Sequence, residues 1–204
     1  MRFIQFKEKL KNFKVFNLTD IRKNDPGFDL RRLSEWQEKK YIKKIRKGWY
    51  IFSDLEINEA GLFLIANKIY APSYVSLEMG FSQYNLIPEM VYEVTCVTSR
   101  KTAYFKTVVG NFSYKHIKPE LMFGYELREQ GDYRYAIAEI EKTLLDYLYL
   151  KPKIKENEDF QGMRFNYDEF KESADMNKWK KYLAAFKSKA LDARAKKFIK
   201  YFNA

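Results

Sequence analysis

Tyr41-Ile42-Lys43-Lys44-Ile45-Arg46-Lys47-Gly48-Trp49-Tyr50-Ile51-Phe52 is the stretch on which the fold turns. Before it, apolar residues recur at helical spacing. Within it they fall around a basic turn containing Gly48, which predicts two short strands. Residues 28–39 read as a helix. With Leu33 at the centre of its buried face, a rotation of about 100° per residue puts Leu30 and Trp36 on the flanks. The same rotation turns Arg31, Ser34, Glu35, Glu38 and Lys39 outward, with Arg32 at the edge. Further back, Asn24-Asp25-Pro26-Gly27 is a turn. Leu18-Thr19-Asp20-Ile21 opens a short helix, and Phe3, Phe6, Leu10 and Phe13 mark a helix over residues 1–13. Helix, short helix, turn, helix, basic hairpin is the order of a winged helix-turn-helix, whose third helix enters the DNA major groove while the hairpin touches neighbouring backbone.

The charge supports that expectation. Of a net +11, residues 1–52 carry +9, residues 53–152 carry −3 and residues 153–204 carry +5. Lys43, Lys44, Arg46 and Lys47 place four cations within five positions, a density that suits phosphates. Arg31 and Arg32 open the third helix, where side chains reach base edges or phosphates. The candidate DNA-binding residues are therefore Arg31, Arg32, Ser34 and Lys39 on the helix, and Lys43, Lys44, Arg46 and Lys47 on the hairpin. Glu35 and Glu38 share the exposed face and argue partly against DNA, since a carboxylate there repels phosphate unless an arginine or a cytosine amino group occupies it. Two other readings fit the same residues: a charged solvent face, and a winged helix used only for protein contacts.

The remaining 152 of 204 residues read as a mixed α/β effector domain, residues 53–204. Helices are expected through residues 62–68, from residue 71 toward Tyr84, and over residues 139–150. Strands are expected at residues 91–98, 102–109 and 112–117, with a hairpin turn at Gly110-Asn111, and more weakly at residues 122–127 and 133–138. Residues 153–177 are polar with scattered Phe160, Phe165, Tyr167 and Phe170, and suggest a connector. A closing helix is expected over residues 177–202, with Trp179, Leu183, Phe186, Ala190 and Ala193 as its apolar stripe. The fold class is thus α+β, in two parts.

Composition excludes several function classes. Aromatic residues make up 18% of the chain, which argues against disorder. The single cysteine, Cys96, excludes an internal disulfide framework and a thiolate zinc cluster, and it reads as a buried small hydrophobe. His116 is the only histidine and builds no histidine-based metal site. The longest clean apolar run, Leu62-Phe63-Leu64-Ile65-Ala66, is too short to span a bilayer, and the first residues lack the apolar stretch of a secretory signal. A cytoplasmic protein without membrane partners is expected. No phosphate-binding glycine loop, zinc-protease or nucleophile-elbow motif is present. Glu139, Glu141, Lys142 and Asp146 lie along one helix and read as helix-start charges and surface pairs rather than a nuclease core. No cofactor, metal or catalytic residue is expected.

Three segments together resemble a known family, the AbiEi antitoxins of bacterial abortive-infection, or type IV toxin–antitoxin, systems. Arg46-Lys47-Gly48-Trp49-Tyr50 is similar to the family's R-x-G-x-Y wing. Ala71-Pro72-Ser73-Tyr74-Val75-Ser76-Leu77 with Tyr84-Asn85-Leu86-Ile87 is similar to its Pro- and Ser-containing helix and exit, with Asn85 where Gly is usual. Ile137-Ala138-Glu139-Ile140-Glu141-Lys142-Thr143-Leu144-Leu145-Asp146 resembles its A-x-P-E-K-A-L-L-D signature, with Ile140 in place of Pro and Thr143 in place of Ala. The resemblance runs from about Phe13 to Pro152. It implies a transcriptional autoregulator that binds double-stranded DNA of its own operon promoter. It also implies an antitoxin to a nucleotidyltransferase-type toxin in phage defence, acting without a stable complex being required. It assigns DNA contact to the third helix and the wing, and assigns no residue to antitoxicity. A protein-interaction adaptor and, third, a nuclease-like enzyme are the rival functions.

Overall fold

Asn17 begins the second helix by reciprocal capping: its side chain accepts from the Thr19 and Asp20 N–H groups, while its own N–H donates to Asp20. The structure, a computed structural model describing residues 1–203, has mixed α/β content, with ten α-helices and two sheets among the described residues. The first part comprises α1 (Phe3–Lys9), β1 (Phe16–Asn17), α2 (Leu18–Asn24), α3 (Arg31–Glu38), β2 (Ile42–Arg46) and β3 (Trp49–Phe52). Strands β2 and β3 pair antiparallel around Lys47-Gly48, where Gly48 takes the φ of +81° that the tight turn demands. The register shifts between Lys44 and Arg46. Strand β1 joins the far side of β3, leaving β2 at the edge. Phe6, Phe16, Ile21, Leu33, Trp36 and Phe52 fill the core beneath.

Two details of this part differ from the periodicity. Helix α1 ends at Lys9, so Phe13 lies outside it. Leu30 stands at the N-cap of α3 rather than inside it and is 41% exposed, whereas Leu33 and Trp36 are buried as expected.

The second part is built from α4 (Glu59–Ile69), β4 (Ser73–Val75), α5 (Leu77–Gln83), β5 (Glu93–Thr98), β6 (Ala103–Lys106), β7 (Asn111–His116), β8 (Tyr125–Gln130), β9 (Tyr133–Ala138) and α6 (Ile140–Leu150), with α7 (Asn157–Gly162), α8 (Tyr167–Ser173), α9 (Met176–Ala185) and α10 (Lys189–Phe202) following. The six strands run in the order β6-β7-β5-β4-β9-β8, a mixed sheet. Strand alternation divides its side chains. Val75, Cys96, Tyr135 and Ile137 share a core with Phe63 and Ala66 of α4. Tyr74, Val97, Ala136 and Ala138 share another with α5, α6 and the C-terminal helices. Val15, Ile45 and Ile51 of the first part belong to the α4 core, so the back of the hairpin is packed into the second part.

Four expectations for this part are corrected. Residues 73–75 form a strand rather than a helix start, because they insert between β5 and β9 (Tyr74 opposite Val97, Val75 opposite Ile137); the helix begins at Leu77. Asn111 opens β7, and the turn before it is residues 107–110. Residues 153–177 are not a connector: they contain α7 and α8, which bury Phe160 and Phe170 beside Phe165. The closing helix is two helices, broken at Lys187, whose φ is +49°. The break resets the helical phase, so α10 buries Leu191, Ala195 and Phe198 while Ala190 and Ala193 are exposed. No helix among the described residues is long and apolar enough to cross a membrane.

Phe160 is fully enclosed between Phe198 and Tyr201. Phe160→Ala is therefore expected to cost about 3–5 kcal/mol of unfolding free energy, measured by denaturant titration. A loss below about 1 kcal/mol would mean that α7 is not part of the core.

Candidate nucleic-acid interface

With Leu33 and Trp36 turned inward, α3 leaves Arg31, Arg32, Ser34, Glu38 and Lys39 in solvent. The charges on this face are largely spoken for. Asp29 accepts from the Arg31 N–H at 3.0 Å and from Arg31 Nε at 3.1 Å. The Arg31 side-chain hydrogen bond holds the Asp29 carboxyl below its ordinary range. Glu35 accepts from Lys39 Nζ at 2.7 Å and from an Arg32 guanidinium nitrogen at 3.1 Å. The Lys39 hydrogen bond is the larger cause of its lowered carboxyl pKa. Thus Glu35 has the arginine neighbour that a carboxylate on such a face requires. Pairs this exposed are worth little, so a phosphate can displace them at small cost.

The hairpin differs. Lys43, Lys44 and Lys47 are exposed, and among the described residues none has a carboxylate within ion-pair distance. Lys40, which the sequence reading passed over, joins them. It stands two residues past the end of α3, with φ of +56°, and is also exposed and, among the described residues, free of a carboxylate. Lys40, Lys43 and Lys44 border a groove of about 380 Å³ with Gln37, Ile42 and Val108, the last from the loop between β6 and β7.

Arg46 is a correction. Its guanidinium lies 3.9 Å from the Phe105 ring centroid and 5.2 Å from that of Tyr70, and donates to the Ile69 carbonyl at 2.8 Å. Its flat, weakly hydrated cation suits aromatic faces, so it holds the hairpin to β6 and the end of α4 instead of facing outward. His116 is exposed, with Nδ1 2.9 Å from the Arg100 carbonyl oxygen, and Cys96 is fully buried in the α4 core.

The acidic run on α6 is the second correction. Glu141, Lys142 and Asp146 are buried, not surface charges. Lys142 pairs with Asp146 and donates to the Tyr74 hydroxyl at 2.8 Å; Tyr74 and Ser76 donate to Asp146 Oδ2 at 3.0 and 3.1 Å. Burial pushes the ammonium down and the carboxyl up, against the pull of each on the other. Glu141 accepts from the Asp175 N–H at 2.6 Å, at the N-cap of α9, and Glu139 binds Lys178 and Tyr182. The Lys142–Asp146 cluster has no solvent access for a substrate, and among the described residues no three His, Cys, Asp or Glu side chains are arranged to hold a metal ion. The cluster's chemistry is architectural. Lys142→Met, which leaves Asp146 unpaired, is expected to cost about 3–5 kcal/mol in denaturant titration, and Lys142→Met with Asp146→Leu to recover much of it. A double variant no more stable than the single would contradict the pairing.

No protein-family model matches the chain, and no curated protein is detectably similar to it.

Proposed function

We propose that the chain is a DNA-binding transcriptional regulator of the AbiEi antitoxin type, a non-enzymatic cytoplasmic protein that represses its own promoter and counters a nucleotidyltransferase-like toxin. The order α1, β1, α2, α3, β2, β3 supports a winged helix-turn-helix reading, in which α3 would be the groove helix and β2–β3 the wing. One observation carries the reading: Lys40, Lys43, Lys44 and Lys47 are exposed and, among the described residues, have no carboxylate within ion-pair distance, beside a helix face whose other cations are paired. Like charges held near one another repel, and a phosphate backbone relieves that repulsion while releasing its counterions. The antitoxin part rests on the resemblance. It is supported by the way two of its segments meet, since Tyr74 and Ser76 of one bond Asp146 of the other.

The test is a gel shift on the DNA upstream of the gene, over a salt series. Replacing Lys43, Lys44 and Lys47 together by Ala is expected to lower the log–log salt slope by about 2.7, at about 0.9 per phosphate contact. Arg46→Met, which removes a cation turned inward, is expected to leave the slope at the wild-type value. Absence of binding, or a slope indifferent to the triple replacement, rejects the wing.

A protein-interaction adaptor is the second reading. Met90 and Tyr92, 77% and 84% exposed, rim a groove of about 740 Å³ floored by Phe81, Ile87 and Met163, which favours a protein partner. Failure to bind DNA would move the assignment there.

A further inference from the structure

The two edges of the six-stranded sheet are unlike. At one end β6 has four residues, ends in Lys106, and is backed by the Arg46 guanidinium on Phe105. At the other end β8 has six residues, Tyr125-Glu126-Leu127-Arg128-Glu129-Gln130, with no lysine or proline to discourage pairing. Leu127 is 57% exposed and Tyr125 is 42% exposed.

The hydrogen-bonding direction of β8 follows from its neighbour. The Glu139 N–H donates to the Gly124 carbonyl at 2.9 Å, and Gln130 stands opposite Tyr133 across a two-residue turn. Backbone groups alternate along an antiparallel strand, so Glu126, Arg128 and Gln130 bond toward β9. Tyr125, Leu127 and Glu129 present their N–H and C=O groups outward, where among the described residues no partner meets them.

We propose that β8 pairs antiparallel with β8 of a second copy of this chain, about a twofold axis at Leu127. In that register the outward-facing residues oppose one another, Leu127 with Leu127 and Tyr125 with Glu129, closing about six backbone hydrogen bonds. The charges agree with it too: Arg128 Nε binds Glu126 Oε1 of its own chain at 2.6 Å, and in this register each also faces its opposite across the axis. Glu126 falls opposite Arg128 of the second copy, and Arg128 opposite Glu126. Shifting the axis by one residue either way keeps outward groups opposed, but places Glu126 on Glu126 or Arg128 on Arg128. Of these three registers only the one centred on Leu127 is self-complementary in charge, as an isologous interface requires. The inference is independent of the DNA-binding reading.

Sedimentation of the purified full chain over a concentration series tests it. The wild type is expected to show a monomer–dimer equilibrium. Glu126→Arg and Arg128→Glu are each expected to sediment as monomers, and their equimolar mixture to recover the dimer, because every cation then faces a carboxylate of the other chain. Arg128 also donates to the Tyr84 hydroxyl, so Leu127→Lys, at an exposed position, is the variant free of folding effects. It is expected to abolish the dimer with an unchanged unfolding transition. A wild type that stays monomeric at millimolar concentration, or a dimer that survives Leu127→Lys, overturns the proposal.

Discussion

An ammonium and a carboxylate one helical turn apart, both shut away from water, set the terms for the second part of the fold. Lys142 and Asp146 lose hydration worth several kcal/mol per ion, which their attraction offsets only if every remaining hydrogen-bonding position is filled. Tyr74 and Ser76 supply three such bonds, and the ammonium otherwise faces the rings of Phe123 and Phe186; this requires β4 to lie over α6 at the middle of the sheet. Gly80 completes the arrangement. A Cβ there would stand 2.6 Å from the Thr143 methyl carbon, so α5 reaches α6 only because that position is glycine. From α6 the constraint passes outward: Glu141 fixes the start of α9, and Glu139 holds Lys178 and Tyr182 on the same helix. Apolar contacts supply most of the cohesion; the polar cluster specifies which helix sits on which strand.

Positive charge is used in two ways within five positions of one hairpin. Arg46 spends its planar group on Phe105, Tyr70 and a helix-terminal carbonyl, and so determines how the hairpin sits on the sheet. Lys43, Lys44 and Lys47 carry compact, strongly hydrated ammonium groups that gain little from an aromatic wall, and they stay in solvent. The division follows from side-chain chemistry, and it gives the lysines a fixed platform.

Much of the architecture was legible because periodicity reports burial. The β2–β3 hairpin, the Leu33 and Trp36 face of α3, the strands β5, β6, β7 and β9 and helix α6 follow from apolar spacing, whereas β8 begins at Tyr125, three residues later than the expected 122–127. The misreadings have physical causes. Ser73–Val75 is too short to show a period, and Pro72 with two serines mimics a helix start, yet three residues suffice to bridge two neighbouring strands. Helices α7 and α8 each bury little more than one aromatic side chain, so their composition looks like loop. A Lys and an Asp at i, i+4 read the same on a surface as in a core; only the partners from β4 distinguish them. At the candidate interface, the lysines were visible as a local cluster, but the diversion of Arg46 depends on Phe105, far along the chain.

Ile45 and Ile51 on the back of the hairpin, with Val15, share one apolar mass with Phe63, Cys96 and Ile137. A protease cutting near Ser53 would not release a self-sufficient module, because both fragments would carry stripped aliphatic surface and prefer to stick together or aggregate.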